Sequence, residues 1–239
     1  MLKIRGEELT RSAMAKKIDF SILHPDSTKE QIIEGIDLCL KEEFNSFCVN
    51  PNYLEIVAKG LAGSPVEPSV VLDFPFGSGT PAIKKAAAAD MLDKGAKALD
   101  LVIDVGALKD GNLDLVTSEI KSVVDMAGPS IKTKIIIEAQ LLTDEQVRQA
   151  GKCIAEAGAT YIKSSTGRHG GPSLHTVKLM RESVPSSIGV KVAGTGSFWT
   201  GTVVLGCLLA GADLIGTRNG PAILDELPLL EAVFGPLNS

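Results

Sequence analysis

Short apolar runs rich in β-branched residues alternate with longer amphipathic segments along the chain. The short runs predict strands over 18–23, 46–49, 70–74, 98–102, 134–138, 161–163, 189–192 and 213–216. Between them, apolar residues at three- and four-residue spacing predict helices over 29–42, 53–61, 82–94, 113–127, 144–157, 173–183 and 200–210. Eight strands, each followed by a helix or a helix-sized interval, predict an α/β fold closed into a (β/α)8 TIM barrel. An open doubly wound sheet shares the alternation and is the rival. The short distance from the eighth strand to the last residue favours closure.

A repeated Gly-Ala pair stands before three strands, as Gly95-Ala96, Gly158-Ala159 and Gly211-Ala212. There glycine supplies the left-handed residue that ends a helix and turns the chain back to the sheet. No low-complexity stretch or linker interrupts the pattern, so residues 1–239 are expected to form one domain. Aromatic residues make up only 4% of the chain, which leaves the core to aliphatic side chains, alanine and glycine.

A net charge of −5 argues against a broad nucleic-acid surface, because phosphate backbones attract positive patches. It leaves room for a small anionic substrate. Cys39, Cys48, Cys153 and Cys207 form no C-x-x-C pair and fit buried thiols in a reducing cytoplasm. The charged N-terminal segment lacks the apolar stretch of a signal peptide, and no apolar run is long enough to span a bilayer. The expectations are a cytoplasmic protein and no membrane partner.

Two lysines interrupt apolar strands: Lys163 in Tyr161-Ile162-Lys163-Ser164-Ser165-Thr166-Gly167 and Lys191 in Gly189-Val190-Lys191-Val192. Burying an ammonium ion is costly, so each either pairs with a carboxylate, snorkels outward, or is used. Both fall near the C-terminal ends of consecutive strands, where barrel enzymes place their chemistry. If both point inward, mutual repulsion and desolvation favour loss of one proton near pH 7, as a carbonyl-attacking amine requires. The residues alone do not say which lysine that is. Asp100, flanked by Leu99 and Leu101, is the third candidate, either a proton relay beside Lys191 or a counter-ion. Asp104 reads as a loop residue.

Glycines cluster after the last three predicted strands: Gly167, Gly170 and Gly171, then Gly194 and Gly196, then Gly216 and Gly220. Loops at these places in barrels often hold phosphate through backbone N–H groups. Arg168 and Arg218 lie in the same loops, as anion ligands or as solvated surface charges. His24, His169 and His175 match no metal-ligand spacing, so no metal and no cofactor is expected. His24 and His169 stand at strand-end loops within reach of a substrate, whereas His175 is expected to be exposed.

These segments together resemble the deoxyribose-phosphate aldolase family. The likeness is carried by Ile18-Asp19-Phe20-Ser21-Ile22-Leu23, Phe47-Cys48-Val49-Asn50-Pro51, Asp73-Phe74-Pro75-Phe76-Gly77 and Leu99-Asp100-Leu101-Val102-Ile103. It continues through Lys134-Ile135-Ile136-Ile137-Glu138, Ile162-Lys163-Ser164-Ser165-Thr166-Gly167 and Gly189-Val190-Lys191. The resemblance implies a metal-free class I aldolase that reversibly joins acetaldehyde to glyceraldehyde 3-phosphate, giving 2-deoxyribose 5-phosphate. It implies Lys163 as the Schiff-base amine, Lys191 as the companion that lowers its pKa, and Asp100 in the proton relay. The substrate-binding set it implies is Asp19, Cys48, Lys134, Thr166, Gly167, Arg168, Gly194, Gly216 and Arg218. The family commonly forms dimers or tetramers, so a homo-oligomer is expected.

Departures from the family pattern concentrate around substrate recognition. Phe20 replaces the usual histidine, His24 a usual lysine, and Ala139-Gln140 a usual Thr-Cys or Thr-Gly. Gly194-Thr195-Gly196 stands for a Gly-Gly pair, and Thr217-Arg218-Asn219 for a serine-rich loop. Either Arg168 and Arg218 take over the phosphate, or the chain is a related imine-forming lyase for a different aldehyde, sugar or keto acid, phosphorylated or not. A non-catalytic barrel that senses a sugar phosphate is the reading from another class, and the two strand lysines with Asp100 argue against it.

Overall fold

A computed structural model describes residues 2–194 and 198–235. Eight parallel strands close into a barrel: β3 (Ile18–Ile22), β4 (Ser46–Val49), β5 (Glu67–Leu72), β6 (Ala98–Val102), β7 (Lys132–Ile136), β8 (Tyr161–Lys163), β9 (Gly189–Ala193) and β10 (Leu214–Thr217). Each pairs with its sequence neighbours and β10 pairs back to β3, so the open-sheet alternative is excluded. Ahead of the barrel lie a two-residue hairpin, β1 (Lys3–Ile4) with β2 (Glu7–Glu8), and the short helix α1 (Arg11–Ala15).

The helices are α2 (Lys29–Glu42), α3 (Leu54–Gly60), α4 (Pro81–Asp93), α5 (Val105–Lys109), α6 (Leu113–Ala127), α7 (Asp144–Ala157), α8 (Leu174–Ser183), α9 (Gly201–Leu209), α10 (Gly220–Asp225) and α11 (Leu227–Phe234). Most boundaries fall within two residues of the sequence expectation. The fifth strand of the chain starts earlier, at Glu67, because Ser46 and Phe47 of β4 pair with Glu67 and Pro68. The hairpin, α1, α5 and the last two helices were absent from the expected set; all are short, and short segments show little periodicity. Asp104, expected in a loop, is the N-cap of α5, its carboxylate accepting from the Ala107 N–H at 2.9 Å.

Strand parity decides what faces where. In β3 the outward residues Ile18, Phe20 and Ile22 join one apolar core with Phe47, Val49, Val70, Leu72, Leu99, Leu101, Ile135, Ile162, Val190, Val192 and Ile215. That core fills the layer between barrel and helices. The alternate residues point into the barrel: Asp19 is in register with Ser46 and Gly216, Asp100 with Lys134, and Lys163 with Lys191. Successive side chains of a strand leave on opposite faces, so one period-two pattern builds an aliphatic outer layer and a polar interior.

The three Gly-Ala pairs behave as expected. Gly95, Gly158 and Gly211 have φ of 93°, 76° and 118°. In each, the following alanine N–H returns five residues to Met91, Ile154 or Cys207, at 3.1, 3.2 and 2.9 Å. This is the double hydrogen bond of a helix end closed by a left-handed glycine. It sends the chain directly into β6, β8 and β10.

Candidate active site

Five charged side chains meet inside the barrel, all but sealed from solvent: Asp19, Asp100, Lys134, Lys163 and Lys191. Asp100 Oδ2 accepts from Lys163 Nζ at 2.7 Å and from Lys191 Nζ at 2.6 Å. Its other oxygen accepts from Ser69 Oγ at 3.3 Å and faces Lys134 Nζ at 3.3 Å. Lys134 also donates to Asp19 Oδ2 at 2.7 Å and to Ser69 Oγ at 3.2 Å. Lys191 completes the circuit by donating to the same Asp19 oxygen. Lateral register is the cause, because Asp100–Lys134 and Lys163–Lys191 are neighbouring pairs on adjacent strands.

The number of carboxylates each amine touches separates the lysines. Burial works against the charge of all three. Lys191 nevertheless rises above its ordinary pKa, since Asp100 and Asp19 both hold its proton. Lys134 rises too, for the same reason. Lys163 touches only Asp100; burial lowers its pKa, the Lys191 charge lowers it again, and Asp100 does not offset the two. Burial pushes both aspartates toward the neutral acid, yet the surrounding lysines keep Asp19 below and Asp100 well below the usual carboxylate range. The question left open by the residues gains a physical ground: of the three amines, only Lys163 has its pKa lowered from the ordinary value. Cys48 faces the same interior, and burial raises its thiol to about 11, which keeps it protonated and uncharged.

Above the circuit, a cleft opens among residues at and just beyond the C-terminal ends of the strands bearing Asp19, Lys163, Lys191 and Gly216. It is lined by Ser21, Leu23, His24, Thr166, Gly167, Arg168, Gly194, Thr217 and Arg218. This brings together five members of the expected substrate-binding set: Thr166, Gly167, Arg168, Gly194 and Arg218. The others take different places. Asp19, Cys48 and Lys134 belong to the barrel interior, and Gly216 makes room for a catalytic candidate, since a Cβ there would come within 3.0 Å of Lys191 Cε. Thr195 and Gly196 of the glycine-rich loop lie outside the described residues. His169 does not line the cleft, and exposed His175 pairs with Asp144 at 2.8 Å.

Backbone proximity shapes the cleft wall. Gly167 has φ of 79°, and a Cβ there would stand 3.1 Å from Gly194 O, so the loops after β8 and β9 touch main chain to main chain. Arg168 donates to Leu23 O at 3.0 Å, and its guanidinium carbon lies 5.7 Å from the centre of the Phe74 ring. Arg168, Arg218 and His24 therefore border a cleft at the C-terminal ends of the strands whose interior carries the lysine circuit. Guanidinium groups so placed suit a phosphate or carboxylate.

Sequence reasoning missed three supporting groups. Ser69 gave no signal, because a serine in a strand is unremarkable. Glu138 closes the apolar run Ile135-Ile136-Ile137, a visible oddity, and is buried with φ of 48°. Lys84 and Glu119, both buried, pair at 2.6 Å, and Glu119 also accepts from the Asp104 N–H at 2.7 Å. Among the described residues, no group of three or more His, Cys, Asp or Glu side chains is gathered to hold a metal.

Residues 13–197 match a family model described as DeoC/LacD family aldolase. Deoxyribose-phosphate aldolase of Streptococcus gordonii is 40% identical over 210 residues, covering 87% of this chain and 94% of that protein. The Geobacillus sp. enzyme of the same name is 40% identical over 213 residues, covering 89% and 95%. Among solved structures, one described as QR15, an aldolase, superposes with a TM-score of 0.84 at 29% identity, covering 92% of this chain and 98% of that one. A deoxyribose phosphate aldolase from Aeropyrum pernix, described as a unique tetramer, gives 0.84 at 26% identity, covering 92% and 93%.

Proposed function

This chain belongs to the DeoC/LacD family of aldolases, and on that premise we propose how its barrel residues carry the reaction. The activity is that of a class I aldolase, cleaving 2-deoxyribose 5-phosphate to glyceraldehyde 3-phosphate and acetaldehyde through a Schiff base. The observation that carries the residue assignment is the unequal pairing of the two amines, one carboxylate for Lys163 against two for Lys191.

A lysine at its ordinary pKa is roughly 0.04% neutral at pH 7, so each unit of lowering multiplies the reactive amine about tenfold. Neutral Lys163 attacks the carbonyl carbon of the open-chain sugar, a proton moves to the carbonyl oxygen, and the carbinolamine loses water to give an iminium ion. Asp100, acting through a bound water, takes the proton of the C3 hydroxyl. The C2–C3 bond breaks, its electron pair flows into the iminium as an enamine, and glyceraldehyde 3-phosphate leaves. Protonation of the enamine carbon and attack by water on the resulting iminium release acetaldehyde and the free amine. Asp100 gives the proton it took back through the water to the enamine carbon, while Lys191 stays charged and holds Asp100 in place. Arg168 and Arg218 hold the phosphate in the cleft.

Borohydride added with substrate is expected to trap an adduct on Lys163, located by peptide mapping, and Lys163→Ala is expected to lose at least a thousandfold in kcat. A label on another lysine, or an active Lys163→Ala protein, would reject the assignment. Self-association is part of the same reading, supported by the tetrameric relative and by exposed Leu174, Leu209, Leu229 and Val233; a monomer in sedimentation equilibrium would exclude it. A cytoplasmic setting is supported by four buried free cysteines.

A further inference from the structure

Glu138 follows β7 with a left-handed backbone, φ 48° and ψ 58°, a conformation that a glycine adopts without strain and a glutamate does not. The side chain is 3% exposed. Its flanks are fixed to the end of β8: Ile137 N–H donates to Lys163 O at 3.0 Å and Ala139 N–H to Ser164 O at 2.8 Å. The carboxylate turns to Thr166 at the cleft wall. Both of its oxygens accept from the Thr166 N–H, each at 3.3 Å, and one also accepts the Thr166 hydroxyl. Among the described residues, Glu138 makes no ion pair. The aldol chemistry above gives it no task.

The direction of these bonds has a chemical consequence. A carboxylate has no proton to give, so the Thr166 hydroxyl must spend its own on Glu138. One lone pair of Thr166 Oγ1 accepts from the Arg168 N–H at 3.2 Å. Thr166 lines the cleft, and to any group there its hydroxyl has only its remaining lone pair to offer, so it can only accept. It suits a substrate hydroxyl and repels a phosphoryl oxygen. We propose that Glu138 is a positioning residue that fixes Thr166 as a hydrogen-bond acceptor, so that the enzyme selects 2-hydroxyaldehydes over unhydroxylated aldehydes as the acceptor half of the aldol.

The inference rests on the aldolase reading, and the two fail differently. The assay is aldol addition of acetaldehyde to 2-hydroxypropanal and to propanal, which differ only in the hydroxyl at issue. The readout is the ratio of the two kcat/KM values. The wild type is expected to favour 2-hydroxypropanal by about tenfold, the worth of one neutral hydrogen bond. Thr166→Val and Glu138→Ala should each bring the ratio close to one, and the double variant should lose no more than either single, because both delete the same interaction. Glu138→Gln, which keeps one accepting oxygen, should fall between wild type and Glu138→Ala, with an unmoved pH profile, and carries the test if Glu138→Ala does not fold. An unchanged ratio in Thr166→Val or Glu138→Gln overturns the proposal. Equal losses with both aldehydes overturn it too, as they would mark a merely structural role. A wild-type protein that traps no imine with any aldehyde sinks the aldolase reading itself.

Discussion

At the residue scale, three ammonium groups and two carboxylates share the barrel interior, and with all five ionised the cluster carries an uncompensated positive charge. Loss of one proton restores balance, and the sparser pairing of Lys163 favours the loss there. The sign of a test follows. Activity needs the free amine, so kcat/KM falls as pH drops through the Lys163 pKa. Lys191→Met removes a repelling charge and leaves Asp100 Oδ2 to Lys163 alone; both changes favour the protonated amine. The acid limb of the pH profile is therefore expected to move to higher pH, with lower activity at pH 7. A limb that stays in place or moves down would contradict the account. The sequence marked both lysines and Asp100 because charges inside apolar strands are conspicuous. The residue pattern gave no ranking and the family resemblance supplied one; the physical ground for it depends on Asp19, which is 172 residues from Lys191 along the chain.

At the element scale, most helices begin on a side-chain cap. Thr10, Thr28, Thr80, Asp104, Asn112, Thr143, Ser173 and Thr200 each accept from a backbone N–H three residues on. At Thr28 and Thr143 the cap is reciprocal, with Gln31 and Gln146 reaching back to the cap N–H. The helices that follow barrel strands start at the strands' C-terminal ends, so these caps shape the rim around the cleft without entering its chemistry. Thr143→Ala is expected to cost about 1 kcal/mol, seen as a fall of about 2–4 °C in Tm for a chain of this size, with kcat within twofold of wild type. A collapse of activity at unchanged Tm would show instead that the start of α7 reaches the reaction. Caps and glycine stops were legible because they are local. The hairpin and the two last helices were not, since too few residues repeat in them to set a period.

At the scale of the whole molecule, the barrel interior is polar and the continuous apolar core surrounds it, so the charged circuit is enclosed by aliphatic packing. Stability and catalysis are linked through the same groups. Asp19 and Asp100 have depressed folded pKa values, so the stability they add is present above about pH 4, their unfolded value, and is lost as pH falls. Lys134 and Lys191 have raised folded values, so their contribution is full below about pH 10 and is lost as pH rises through the folded values. Lys163 runs the other way, since its depressed value costs stability below its unfolded pKa. Thermal unfolding followed across pH is expected to give a plateau from about pH 5 to 9 with a fall on both sides. A midpoint unchanged from pH 8 to 11 would show that the lysine circuit does not hold the barrel together.

Alternation of short apolar and longer amphipathic segments pointed to an α/β barrel from sequence, because strand and helix periods are local properties that packing exploits; closure against the open-sheet rival came from the pairing of β10 with β3. The same reading singled out the two strand lysines and Asp100, since a charge in an apolar strand has few bland explanations, and the structure brings the three together. Tertiary structure alone supplied the unequal pairing of the two amines and the clearance that Gly216 leaves for Lys191. It also joined Glu138 to Thr166 across two neighbouring strand ends. Each of these is a contact between strands remote in sequence, and electrostatic energies at a few ångströms depend on distances that no local pattern encodes.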